Sequence, residues 1–227
     1  MNDAIGLIGG MGPEATTHFL ELIHALEKGR TDQERTPLVV LNETSVPDRT
    51  AHIIEEAPSF LPAITEAINR LRKLGVKQYA ILCFTAHYYR AAYDRISGID
   101  FIDLIQLTLD VLEKSQEEHY TVLATRGTIA GGVFPEKIGA TKIRVPEPAV
   151  QEAINRLIYR IKRGDDKSVV TRKLENLLEE NQLHEPPLIL GCSELSMLDA
   201  YLGKGINRFN PLQVLAEAIV GHHDGVE

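Results

Sequence analysis

Short apolar runs alternate along the chain with longer stretches in which apolar residues recur every three or four positions. Ala4–Ile8, Pro37–Leu41, Gln78–Leu82, Thr121–Ala124, Thr141–Val145 and Pro187–Leu190 are of the first kind. They are short and nearly continuous in apolar character, which predicts strands buried on both faces of a sheet. Leu61, Ile64, Ala67, Ile68, Leu71 and Leu74 are of the second kind and end at Gly75. Val150, Ile154, Leu157, Ile158 and Ile161 repeat the pattern before Gly164. A glycine just past the last periodic position is a helix stop. The alternation predicts an α/β fold with a parallel sheet covered by helices.

The pattern runs twice. AIGLIGGMGP near the start resembles YTVLATRGTIAGG in the middle, and QYAILCFTAH resembles PPLILGCSEL, with nearly equal separations between the paired motifs. Two related lobes account for this, and so does the ordinary self-similarity of parallel α/β chains. On the first reading one lobe takes residues 1–98 with 210–227 and the other 99–209. The chain then crosses near Gly98 and returns through a helix from Pro211.

Composition narrows the possibilities. The 227 residues are 44% hydrophobic and 25% charged, enough to bury a core. A net charge of −8 and a pI near 5.5 argue against a general nucleic-acid binder and against docking on anionic lipid. Two cysteines leave no room for a disulfide framework or a four-ligand zinc site. The eight histidines show no metal-binding spacing, and His222-His223 sits in a polar stretch, so no metal is expected. No basic leader opens the chain, and no apolar run nears the roughly 20 residues of a membrane span. The expectation is a soluble cytoplasmic protein with reduced thiols.

Cys83 and Cys192 each end an apolar strand and precede a polar helix start. Ligands of open α/β sheets bind beyond the strand C-termini, and a helix N-terminus there favours a thiolate. A single cysteine in such a place is usually a small buried hydrophobe. Two of them facing across an interface would act on opposite faces of one substrate. The glycines of GLIGGMGPEAT are out of register for a dinucleotide loop. They suit either close approach to a small anion, with Thr16 and Thr17 offering hydroxyls, or a tight turn without ligand. Thr125-Arg126-Gly127-Thr128 carries the same ambiguity. Arg49 is read as a carboxylate clamp or a solvated cation. Arg156, Arg160, Lys162, Arg163 and Lys167 crowd a helix end, where cations complement the dipole in any case. His87 is read as a base for Cys83 or as a capping or core residue.

Together GLIGGMGPEAT (6–16), the S-x-P-D-R of Ser45–Arg49, CFTAH (83–87), ATRGT (124–128) and LGCSEL (190–195) resemble the aspartate/glutamate racemase family, in its aspartate-racemase branch. The resemblance implies two pseudo-symmetric α/β lobes, an active site in the cleft between them, frequent dimerisation and no cofactor. It implies Cys83 and Cys192 as the acid/base pair acting on an amino acid. Met11, Thr85, Thr125, Thr128 and Ser193 would line its α-carboxylate and amino end. Arg49 and Lys162 would hold the side-chain carboxylate. Phe84 stands where the family usually has Asn, at a substrate-contacting position. It opens two alternatives: a different substrate, or a family member that binds its ligand without turnover. Ser193 in place of the commoner Thr keeps the hydroxyl.

Overall fold

The computed structural model describes residues 4–183 and 185–224. The chain starts with β1 (Ile5–Gly9), α1 (Pro13–Leu26), β2 (Leu38–Asn42), α2 (Arg49–Glu55), α3 (Leu61–Lys73) and β3 (Gln78–Ile81). A 3-10 turn (Phe84–Tyr89), α4 (Arg90–Tyr93), β4 (Asp100–Ile102) and α5 (Leu104–Glu113) follow. Then come β5 (His119–Leu123), α6 (Arg126–Ala130), β6 (Lys137–Ile138), β7 (Thr141–Arg144), α7 (Pro148–Lys162) and α8 (Lys167–Glu180). The last elements are β8 (Leu188–Leu190), α9 (Ser193–Ser196), β9 (Arg208–Phe209) and α10 (Pro211–Asp224).

Two sheets result. The first runs β2-β1-β3-β4 and is parallel throughout; the second runs β6-β7-β5-β8-β9 and is parallel except for β6 on β7. With the antiparallel edge strand β6 set aside, β7-β5-β8-β9 repeats the order β2-β1-β3-β4. The register repeats as well. Leu82 N donates to Ile8 O at 2.9 Å in the first sheet, and Gly191 N to Leu123 O at 2.8 Å in the second. Cys83 and Cys192 are the next residues in each, so they occupy equivalent corners at the C-terminal ends of central strands.

The helices form where the periodicity puts them. Ile64, Ala67, Ile68 and Leu71 of α3 are buried, and Gly75 ends it at φ +82°. Val150, Ile154, Leu157, Ile158 and Ile161 of α7 are buried before Gly164 at φ +84°. Burying each such side chain contributes about 2 kcal/mol. Leu74 departs from its expected stripe: it is the C-cap of α3 and 46% exposed, because the helix has already ended.

The six expected strands form with shifts of a residue or two, and three more were not foreseen. β4, β6 and β9 are two or three residues long and carry Asp100, Lys137 and Arg208, so they lack a buried strand's apolar signature. β4 pairs with β3, which carries the chain along the first sheet beyond Gly98 before it crosses. Leu212, Leu215, Ala216 and Ile219 of α10 share a core with Ile5, Leu7 and Phe19 of the first lobe and with Leu104 and Ile105 of α5. The side chains of His222-His223, at the end of α10, lie outside the described residues. Among the described residues no helix is long and apolar enough to cross a membrane, and no group of three or more His, Cys, Asp or Glu is placed to hold a metal ion.

Candidate active site

A small pocket lies between the C-terminal ends of the two sheets, and both cysteines line it. Its walls also include Met11, Asp48, Arg49, Phe84, Thr85, Thr125, Tyr159, Lys162, Ser193 and Glu194. Both thiols are free and buried.

At the Cys83 corner the β2–α2 loop delivers Arg49. Asp48 caps α2 by accepting from Ala51 N at 2.8 Å, which makes Arg49 the first helical residue. Arg49 Nη1 donates to the Val46 and Pro47 carbonyls at 3.2 and 3.0 Å, and Nη2 to Met11 O at 3.1 Å. The guanidinium is therefore fixed in the pocket wall. Burial alone would lower its pKa, but the adjacent Cys83, Asp48 and Glu194 raise it above the ordinary value.

The Cys192 corner is built differently. Cys192 Sγ donates to Glu194 Oε2 at 2.9 Å, and Ser193 Oγ to the same oxygen at 3.3 Å. Glu194 Oε1 accepts from Lys162 Nζ at 2.5 Å, and that ammonium also donates to Met11 O at 2.9 Å. One main-chain carbonyl thus gathers a cation from each lobe. Lys162 is lowered by burial yet raised on balance by Glu194, Cys192 and Cys83. A Cβ at Gly12 would stand 2.9 Å from Glu194 Oε1, so a side chain there would displace this carboxylate.

The expectation of a helix-stabilised thiolate does not hold at Cys192. Burial pushes this thiol well above its ordinary pKa, and the Glu194 charge adds to the effect while Lys162 opposes it. The helix that follows, α9, has four residues, too few to build a substantial dipole.

Three hydroxyls close the floor. Thr85 Oγ1 lies 3.0 Å from Thr125 Oγ1 and 2.8 Å from Thr128 Oγ1, and the last two are 3.0 Å apart. Thr125 also caps α6 by accepting from Thr128 N. Thr85 and Thr125 reach the pocket wall, with Thr128 bonded behind them. Phe84 borders the pocket, but its ring belongs to an apolar cluster with Ala80, Leu82 and Val133 and stacks on Phe134, centroids 6.3 Å apart.

Other motifs resolve into structure. Gly10, at φ +84°, passes so close to Glu43 that a Cβ would meet its backbone N at 2.2 Å. Thr16 Oγ1 accepts from Gly10 N and donates to Gly12 O. The glycine loop is therefore a tight turn against the β2–α2 loop. Thr17 donates back to Pro13 O. In the basic run, Arg160 pairs with Asp165, Arg156 with Glu152 and Lys167 with Glu14, Arg163 is exposed, and Lys162 is the member that enters the pocket. His87 Nδ1 meets the Cys83 carbonyl at 2.9 Å, a contact to the main chain and not to the thiol.

Sequence reasoning passed over Glu194, Asp48, Tyr159 and Thr50, the last of which also lines the pocket. Glu194 had a signal, as a carboxylate two residues past a strand-end cysteine in an otherwise apolar stretch. Tyr159 had none, because its 3.1 Å bond to Asp48 Oδ2 joins residues far apart in the chain.

Residues 8–219 match the family model described as Asp/Glu/Hydantoin racemase. The chain is 23% identical over 220 residues to the broad specificity amino-acid racemase RacX of Bacillus subtilis, covering 95% of this chain and 96% of that one. An aspartate racemase structure from Picrophilus torridus superposes with a TM-score of 0.86 at 25% identity, covering 97% and 94% of the two chains. The glutamate racemase RacE1 of Bacillus anthracis shares the fold, with a TM-score of 0.64 at 17% identity over 99% of this chain and 83% of that one.

Proposed function

The chain belongs to the Asp/Glu/Hydantoin racemase family, and on that premise we propose that it inverts Cα of an acidic amino acid, aspartate or glutamate, with no cofactor and two cysteines as acid and base. The enzyme is an isomerase of the racemase class; the substrate and the cysteine chemistry are the proposal. The observation that carries it is the pairing of two thiols at equivalent corners of one pocket, one beside a cation and the other donating to a carboxylate.

In this scheme Cys83, beside Arg49, acts as thiolate and removes the α-proton. Cys192, kept protonated by burial and Glu194, delivers a proton to the opposite face. The antipode runs the steps in reverse, so one pair serves both enantiomers. The α-proton is weakly acidic, so the site must stabilise charge developing on the α-carboxylate. The Thr85–Thr125 hydroxyls and a water-poor pocket serve that purpose, and oriented donors contribute about 3 kcal/mol each in other enzymes. Arg49 and Lys162 supply positive potential for a second carboxylate. We take the working enzyme to be homodimeric, as its resemblance implies, and cytoplasmic, as the sequence features lead us to expect.

A second reading rests on Lys162. Its ammonium is already paired with Glu194, so the pocket does not demand a second carboxylate, and a wider amino-acid range fits. Proton NMR in D₂O with each enantiomer of aspartate, glutamate and a neutral amino acid tests both readings, with no pyridoxal present. Loss of the α-proton signal with appearance of the antipode is expected for the acidic pair. Exchange with the neutral amino acid as well favours the wider range, exchange with it alone sinks the acidic substrate, and no exchange with any of them sinks the proposal.

A further inference from the structure

One side of α7 carries polar residues where a core-facing helix is normally apolar. Gln151 and Asn155 are 7% and 8% exposed, and they are buried along with Val150, Ile154, Leu157 and Ile158 of the same helix. An amide in such a place is unfavourable unless it finds a partner. Gln151, Asn155, Tyr159 and Lys162 follow one another at intervals of four, four and three residues, which sets them along one side of the helix. Tyr159 and Lys162 line the candidate active pocket, and Gln151 and Asn155 stand behind its wall.

Both amides grip the main chain around Thr125. Gln151 Nε2 donates to Ala124 O at 2.8 Å, and Asn155 Oδ1 accepts from Arg126 N at 3.1 Å. The two peptide planes that flank Thr125 are thus each tied to α7. A residue has two soft backbone dihedrals, and holding the planes on both sides fixes them, here at φ −69° and ψ 156°. Those angles set the direction of the Thr125 side chain, whose Oγ1 belongs to the hydroxyl triangle of the pocket floor. The bonds within α6, from Thr128 N to Thr125 Oγ1 and from Ile129 N to the Thr125 carbonyl, move with that five-residue helix. The two bonds to α7 tie it to a frame of fifteen residues. Gln151 Oε1 has no hydrogen-bond partner among the described residues, so this amide is a poor choice for stability alone.

We propose that Gln151 and Asn155 are positioning residues for the racemase reaction, holding the Thr125 hydroxyl where charge develops on the substrate's α-carboxylate. This rests on the reading above, in which Thr125 helps to stabilise that charge. Such a donor matters most in the transition state, so disturbing it lowers kcat more than it raises KM.

The experiment is steady-state α-proton exchange in D₂O with L-aspartate, L-glutamate and L-methionine, with a melting temperature for each variant. Asn155→Leu keeps the branched shape but removes the acceptor, and should lower kcat about 10–100-fold with KM within about twofold. Gln151→Met removes the donor and should act in the same direction. Asn155→Asp keeps an oxygen for Arg126 N and should bring kcat back near that of the unaltered protein. Thr125→Val removes the hydroxyl itself, and in that background Asn155→Leu should lower kcat no further, because its effect runs through the hydroxyl. An amide with a merely structural role would keep its full effect there and would not be rescued by aspartate, and either result overturns the proposal. So does an Asn155→Leu variant whose loss is carried by KM with kcat unchanged. If Thr125→Val does not fold, the aspartate rescue and the division between kcat and KM decide alone. Absence of exchange by the unaltered protein with all three amino acids would overturn the racemase reading and this proposal together, whereas exchange with failure of the variant tests overturns this proposal only.

Discussion

The Cys83 and Cys192 corners share a backbone and differ in their side chains. Each thiol follows a central strand by two residues and begins a helical turn, and the strand orders around them match. The next residue is Phe84 in one corner, pointing into the apolar cluster, and Ser193 in the other, bonded to Glu194. The residue after that is Thr85, part of the hydroxyl triangle, against Glu194, which accepts from the thiol. Repetition of the fold therefore fixes where the sulfurs stand. The residues one and two positions later, with the cation that each lobe sends in, decide how their protons are held.

Replacing either cysteine by serine tests that comparison hardest. Each variant should lose at least about 10³ in racemisation with an unchanged circular dichroism spectrum, since each removes an acid/base partner. Full activity in either would reduce the pair to a single working thiol. Phe84→Asn comes next, placing an amide in the cluster under Phe134. It should cost about 3 kcal/mol and lower the melting temperature by about 6–12 °C. A smaller drop with raised acidic amino-acid turnover would mean that the side chain serves the substrate after all.

Glu194→Gln sharpens the comparison by removing the anion from one corner. The Cys192 thiol is raised by burial first and by Glu194 second, so losing that charge should move its deprotonation to lower pH. Mass-mapped alkylation against pH should show the Cys192 midpoint falling, with racemisation down about 10–100-fold. A fixed midpoint would assign the whole effect to burial. The smallest change is Tyr159→Phe, which cuts the bond joining the helix of Lys162 to the loop of Arg49. About 1 kcal/mol and a few-fold rise in KM with little change in kcat are expected from steady-state kinetics.

The strand-end cysteines were legible because they sit in a local pattern, whereas the hydroxyl residues and Lys162 were pointed to only by the family resemblance. Apolar runs mark the strands, and a polar residue just past a run faces the sheet's ligand-binding edge. What stayed hidden depends on distant contacts. Arg49 could be solvated or clamped until the Met11 carbonyl appeared beside it. The glycine loop could hold an anion until Glu43 was seen to occupy the space. The thiolate expected at Cys192 failed because short-range helix logic omits the burial of the thiol and, after it, a carboxylate two residues on. The strands β4, β6 and β9 hold their places by pairing and not by composition.

The placement of α10 carries a consequence for how the protein is made. This helix follows the whole second sheet in the chain and so leaves the ribosome after it, yet it completes the core around Ile5, Leu7 and Phe19. The half translated first thus waits, with apolar surface uncovered, until the whole second half has been synthesised. The second sheet, whose strands β5 to β9 are contiguous in the chain, can close earlier. Birth order and completion order run opposite here, and the interval between them is when the nascent chain most needs shielding from aggregation.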